Sequence, residues 1–301
     1  MRPTALNSLY LLFYRAYLAL KKSVIVPVFR RWPQGLTRFN DAKDFLKHRA
    51  LPSRTAWVQV QSGFAQELWM RLRIPEEAGF WRGVHEPGVQ SAFSALLRPG
   101  DVVYDVGAHL GSLALGAARL VGASGRVVAF DGDPENVERL RENSSRNHLN
   151  SRVQAVHAAV WSHRSASGIS FRRGKSLPSQ GGVESDGQRP VLGDGEIISV
   201  PVTTLDDFVA AGGPVPQLVK IDVEGGEYEV LRGGVSLFAN QRPLLLVEVH
   251  HQQAADKIGA WLSEFRYLAE WRIPAEKFPR YLIAWPLEHA APALLNSDVT
   301  Q

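Results

Sequence analysis

VVYDVGAHLG, residues 102–111, is the stretch on which the reading of this chain turns. An apolar run ends in Asp105, bends through Gly107 and Gly111, and enters a helical stretch from about Ser112 to Leu120 that Gly122 closes. A run without polar alternation suits a strand of a parallel sheet covered on both faces, and the flanking glycines favour strand over buried helix. In open parallel sheets ligands bind beyond the carboxyl ends of the strands. The first strand-to-helix turn must then let a ligand approach the backbone, which glycine permits. Asp105 puts a carboxylate at the mouth of that turn.

Outward from this stretch the chain alternates strand-like and helix-like segments. A second strand, Arg126 to Phe130, is followed by Asp133, placed to cap a helix with Pro134 at its first position and Glu135 in its first turn. That helix should reach about Arg146. Further strands are expected at Val153 to Val160, Leu218 to Ile221 and Leu244 to Val249, with helices near Thr204 to Ala211 and Ala254 to Phe265. Tyr267 to Arg272 and Tyr281 to Trp285 read as a closing antiparallel hairpin. The expected fold is α/β, a mostly parallel sheet with helices on both faces, occupying residues 85–301 behind an N-terminal helical extension, residues 1–84. Residues 172–196, rich in Gly, Ser, Pro and charge, read as a mobile surface loop. Leu6 to Leu20 is apolar and aromatic but is interrupted by Arg15, too short for a spanning helix, and followed by Lys21, Lys22, Arg30 and Arg31. It is expected to be a helix that covers the core, or, through residues 6–31, one that lies weakly on a membrane surface.

Composition bounds the function. A chain of 301 residues with 45% hydrophobic residues can bury a sizeable core. A formal charge of +4 from scattered Lys and Arg gives little support for a nucleic-acid groove. The absence of cysteine excludes disulfides, thiolate metal sites and a cysteine nucleophile, and accords with a reducing, cytoplasmic setting.

Asp131 stands directly after the second strand, about 20 residues past the glycine turn, where nucleotide-binding sheets place a carboxylate for ribose hydroxyls. Asp133 competes for that role but suits the helix cap. The glycine spacing then discriminates between adenosine cofactors. A dinucleotide turn reads G-x-G-x-x-G, bringing backbone to a pyrophosphate, whereas this turn reads G-x-x-x-G with His109 at the place of the second glycine. S-adenosylmethionine has no phosphate to cradle and fits the wider turn. Ala108 and His109 in the turn, and Ala158 after the third strand, complete the expected cofactor side. At the later strand ends, LVKIDVEGGEYEVLRGG (218–234) and RPLLLVEVHH (242–251) put Lys220, Asp222, Glu224, Glu248, His250 and His251 where an acceptor should lie.

These segments, with VVAFDGDPENVERLRENSSRN and VPVTTLDDF between them, resemble the FkbM family of methyltransferases from about Glu86 to Glu270. The resemblance implies a Rossmann-like class I methyltransferase fold with a seven-stranded sheet, and methylation of a hydroxyl on a small molecule, sugar or lipid-type acceptor. It also implies that Asp105, Gly107 and Gly111 hold the methionine part, Asp131 the ribose, and Asp222 the mouth of the substrate pocket. The family usually has asparagine where this chain has His109, and a glutamate followed by proline where it has Asp131 and Gly132.

An alcohol must lose a proton as its oxygen is methylated. Asp222, Glu224 and His250 are the catalytic candidates, with Asp222 or His250 as base; a divalent cation such as Mg²⁺ held by Asp222 and Glu224 is a second route. Lys220, Glu248 and His251 are expected at the substrate pocket. Rival readings are a nucleic-acid or protein methyltransferase, an NAD-dependent oxidoreductase, and a non-catalytic cofactor-binding protein. No Asn-Pro-Pro or Asp-Pro-Pro segment supports the base methyltransferase, and the glycine spacing opposes the oxidoreductase.

Overall fold

The computed structural model describes residues 54–173, 182–183, 196–272, 278–289 and 291, with Leu12, Tyr14, Arg15, Ala16 and Ala19 ahead of them. Most of the loop expected over 172–196 and of the helix expected over 6–20 lies outside the described residues.

Strands β1 (Arg54–Gln59) and β2 (Trp69–Ile74) open the described chain, followed by helices α1 (Ala78–Arg82) and α2 (Pro87–Leu96). The alternating part runs β3 (Val102–Val106), α3 (Ser112–Leu120), β4 (Arg126–Asp131), α4 (Pro134–Arg146) and β5 (Val153–His157). Short strands β6 (Ala159–Val160), β7 (Ile169–Arg172), β8 (Gly182–Val183), β9 (Ile197–Val200) and β10 (Val202–Thr203) precede α5 (Leu205–Ala210). Then follow β11 (Leu218–Ile221), α6 (Glu227–Arg232), α7 (Val235–Asn240), β12 (Leu244–Val249), α8 (Gln252–Glu264), β13 (Tyr267–Trp271) and β14 (Arg280–Pro286).

The main sheet has seven strands in the order β5-β4-β3-β11-β12-β14-β13, and β14 alone runs against the others. This is the Rossmann-like sheet with a closing antiparallel hairpin that the sequence implied. Alternate residues of β3 serve opposite faces: Val103 joins one core with Val127 and α3, while Tyr104 and Val106 join the other with Val128, Phe130 and α6–α8. Because β3 pairs with β4 on one side and β11 on the other, the chain reverses its direction of travel across the sheet there. That reversal opens a crevice beyond the tips of β3 and β11.

The strand expected over Val153 to Val160 is interrupted. The Ala158 N–H donates to the Asp131 carbonyl oxygen, and the Ala159 N–H to that of Pro201, so the chain leaves the sheet and β6 pairs with β10 instead. The helical extension expected over 1–84 also changes character, because residues 54–74 form an antiparallel hairpin. Its alternating pattern buries Met70, Leu72 and Ile74 on the face carrying α3, within one core that continues past residue 84. The hairpin is tied to α4 through polar groups as well: Asn143 accepts from the Arg71 N–H at 2.7 Å, and Asn147 exchanges hydrogen bonds with the Trp69 backbone at 2.8 and 2.7 Å. Buried Arg139 pairs with buried Glu77 at 2.5 and 2.8 Å. Of the N-terminal helical residues described, Tyr14 is buried and stacks on Trp81 at 5.9 Å, which places it on this same core. No helix among the described residues is long and apolar enough to cross a membrane.

Candidate active site

Beyond the tips of β3, β4, β11 and β12 lies a cavity of about 420 Å³, of the size that holds small ligands. Its floor is the turn read first in the sequence. The Gly107 and Ala108 N–H groups donate to the Phe130 carbonyl oxygen at 3.0 and 2.9 Å, so the tip of β4 holds the turn in place. Gly107 has φ 79°, and a Cβ there would lie 1.7 Å from the Asp222 carbonyl oxygen. Gly111, at φ 82°, would meet Leu140 of α4 at 2.7 Å. Both positions therefore require glycine for close packing of the protein on itself, beyond the ligand access that motivated them.

Asp131 ends β4 and lines the cavity. One of its oxygens accepts from the Asp133 N–H at 2.8 Å and from Asn136 Nδ2 at 3.2 Å; the other accepts from the His109 N–H at 2.8 Å. Three of about four acceptor positions are thus taken by the protein. Burial pushes the Asp131 carboxyl up to about 6, against the lowering effect of these donors. Asp133 takes the structural role expected of it, capping α4 by accepting from the Glu135 N–H, and also receives Arg173 at 2.9 Å. His109 adopts φ 50° and packs on Phe80; burial, reinforced by Arg139, holds its imidazole down at about 3, so the ring is neutral. His109 Nε2 and Asn136 Oδ1 are buried without a hydrogen-bond partner among the described residues. Ala108 and Ala158 line the cavity as expected.

Asp105 does not. It is fully buried, and Lys220 stands between it and the cavity, its Nζ 3.3 Å from Asp105, 3.2 Å from Asp222 and 3.0 Å from the Gly107 carbonyl oxygen. Burial alone would lower the Lys220 pKa, but the Asp222 and Asp105 carboxylates raise it, so the ammonium is charged, donating hydrogen bonds to Asp222 and to the Gly107 carbonyl oxygen and ion-paired with Asp105. Lys220 is in effect the structural partner of two acids.

At the opposite wall stand Asp222, Glu224, Glu248 and His250. His250 Nδ1 lies 2.7 Å from Glu227, and its Nε2 lies 3.4 Å from Glu224 and 3.7 Å from Asp222. Burial would lower the pKa of this ring, yet the Glu227 hydrogen bond and charge, with Asp222 and Glu224, raise it to about 9. Its Nδ1 is engaged by Glu227, and these neighbours favour the protonated ring over the neutral one that a base needs. Glu224, at φ 54°, is raised to about 7 by burial, the Asp222 charge adding to the effect; Glu248 is likewise raised to about 7 by burial and Asp222. His251 is not at the cavity: its Nδ1 accepts from the Ala254 N–H and caps α8.

Asp222 and Glu224, the carboxylates expected to hold a divalent cation if one is used, each turn one oxygen toward His250 Nε2. The carboxylates that converge within 4.8 Å are instead Glu86, Asp222 and Glu248. Glu86, with φ 47°, enters with Phe80 and His85 from the segment ahead of β3, which motif reading did not include. Glu227, also missed, sits five residues past Asp222 in DVEGGE, and that spacing was its one legible signal.

Residues 105–269 match the family described as the Methyltransferase FkbM domain. The chain is 28% identical to the hexuronic acid methyltransferase AglP of Haloferax volcanii over 76% of this chain and 88% of that protein. It is 29% identical to the 31-O-demethyl-FK506 methyltransferase FkbM of Streptomyces tacrolimicus, over 63% of this chain and 76% of that one. Among solved structures, a methyltransferase FkbM from Methylobacillus flagellatus aligns at 18% identity with a TM-score of 0.45, over 64% of this chain and 46% of that chain, less than half of its length.

Proposed function

Because the chain belongs to the FkbM family of S-adenosylmethionine-dependent methyltransferases, we propose that it methylates a hydroxyl oxygen of a sugar or another small molecule. The observation that supports this most is the division of the cavity into two ends. One end carries Asp131 and the orphaned acceptor of Asn136; the other carries carboxylates raised to about 7. The two relatives named above, by their descriptions, methylate a hexuronic acid and a demethylated FK506, and the acidic end suits a hydroxyl donor.

S-adenosylmethionine, when bound, supplies an activated methyl group on a sulfonium. Asp131, with one acceptor position left, would receive a ribose hydroxyl, and Ala158 and Phe171 offer apolar contact near it. The chain's remaining task is to hold the acceptor oxygen in line and take its proton. Glu224 and Glu248 have the near-neutral pKa that proton transfer favours, whereas Asp222 is held between Lys220 and His250 as an orienting anion. With the methyl group leaving sulfur for the acceptor oxygen, one of these two glutamates would take the hydroxyl proton, and the demethylated cofactor would leave as a neutral thioether. A screen of neutral, amino and acidic glycosides, polyols and macrolides with methyl-labelled donor tests the proposal. Label in an O-methyl product is expected; label transferred only to nitrogen or to nucleic acid would overturn it.

A further inference from the structure

We propose that Glu227 is a positioning residue: its carboxylate anchors His250 through Nδ1, so that the ring acts as a fixed two-ended donor gathering Asp222 and Glu224 at the cavity wall. On this reading, which rests on the methyl-transfer function proposed above, His250 does not take the acceptor's proton.

Glu227 is the first residue of α6 and has no exposure to solvent. One of its oxygens accepts both the Gly225 N–H and His250 Nδ1, each at 2.7 Å; Gly225, at φ 107°, has the freedom to make that turn. The second oxygen has no partner among the described residues. A buried carboxylate left partly unsatisfied is costly, and here it is spent on one ring. The groups facing that ring are Glu227 from α6, Asp222 and Glu224 from the loop after β11, and Glu248 from its own strand. Ionised carboxylates accept and do not donate, so a nitrogen facing them serves best with its proton on. Both ring nitrogens face such groups. The loop 222–226, which carries two of the cavity's acids, is thereby joined to the end of β12 through one side chain, much as outer partners orient the ligands and bases of other sites.

The test uses the full chain labelled with ¹⁵N-histidine, with the His250 signal assigned from the His250→Gln variant. In the wild type at pH 7.5 both His250 nitrogens should be protonated, and in Glu227→Gln one of them should lose its proton. Binding of S-adenosylhomocysteine should stay within about twofold, while turnover falls at least about tenfold, the scale for loss of an orienting partner. Glu227→Asp, which keeps the charge, should restore the proton in part, and it serves the same comparison if Glu227→Gln does not fold. His250→Gln, still a donor, should retain measurable turnover. A wild-type ring carrying a single proton, or a His250→Gln loss beyond about a thousandfold, the scale of a lost base, would overturn the assignment. If the protein binds no S-adenosylhomocysteine and transfers no methyl group, the methyl-transfer reading fails, while the nitrogen signals still decide the anchoring.

Discussion

Lys220 Nζ lies 3.3 Å from an Asp105 oxygen at the centre of the sheet, and both side chains are almost wholly out of water. The Asp105 oxygens have no hydrogen-bond partner among the described residues; burial raises the pKa of this carboxyl, and the Lys220 ammonium is the chief group opposing that rise. The same ammonium touches Asp222 at the cavity, which joins the stability of the sheet to the geometry of the site.

Lys220→Met should destabilise the protein by about 3 to 5 kcal/mol, the usual cost of leaving a buried charge unpaired. Adding Asp105→Leu to it should recover much of the loss. Urea unfolding of the single and double variants checks this, and an equally unstable double variant would mean that the pair is not coupled.

Asp131→Ala should weaken S-adenosylhomocysteine binding by about 1 to 3 kcal/mol with an intact fold. Binding to the wild type should also depend on pH in one direction. Above about 6 the carboxylate is ionised and accepts from hydroxyls; as pH falls through that value it protonates, and affinity should drop. Calorimetry from pH 5 to 8 reads both effects, and the variant should lack the acid-side loss.

Turnover should rise with pH through about 7 on its acid limb, because Glu224 and Glu248 must be ionised to accept a proton. Glu248→Gln or Glu224→Gln should remove that limb, and the variant that does so identifies the base. A limb unchanged in both would place proton removal elsewhere.

Asp222→Asn should cut turnover at least about a hundredfold while cofactor affinity changes much less, since Asn keeps the shape and loses the charge that Lys220 and His250 hold. Initial rates and calorimetry on the same preparation separate the two quantities.

Gly107→Ala should cost about 1 to 3 kcal/mol from the left-handed backbone alone, and more from the methyl group pressed on the Asp222 carbonyl oxygen. Thermal unfolding gives the first effect. A drop in turnover exceeding the drop in folded fraction would show that Asp222 has been displaced.

The core of the sheet was legible because its strands are buried on both faces and so read as short, mainly apolar runs, as at Val102–Val106 between Asp101 and Gly107 and at Leu244–Val249 between Pro243 and His250. Asp131 and Asp133 were separable on chain position alone, since Pro134 marks the cap. The charge states were not legible. Asp105 and His250 have the residue types of a ligand contact and a base, but three-dimensional neighbours far along the chain make Asp105 half of a buried pair with Lys220 and engage the His250 Nδ1 with Glu227. Glu86 was invisible for a related reason: it reaches the cavity from the turn between α1 and α2, a segment with no motif.

That hairpin bears on where the molecule can be cut. A fragment trimmed to residues 105–269 would keep every strand tip at the cavity yet discard Glu77, Met70 and Leu72, and with β14 it would also give up the strand between β12 and β13. Arg139 would then lose Glu77, its ion-pair partner, and α4 would lose the apolar cover of β2. The matched stretch is thus shorter than the continuous core that packs around it.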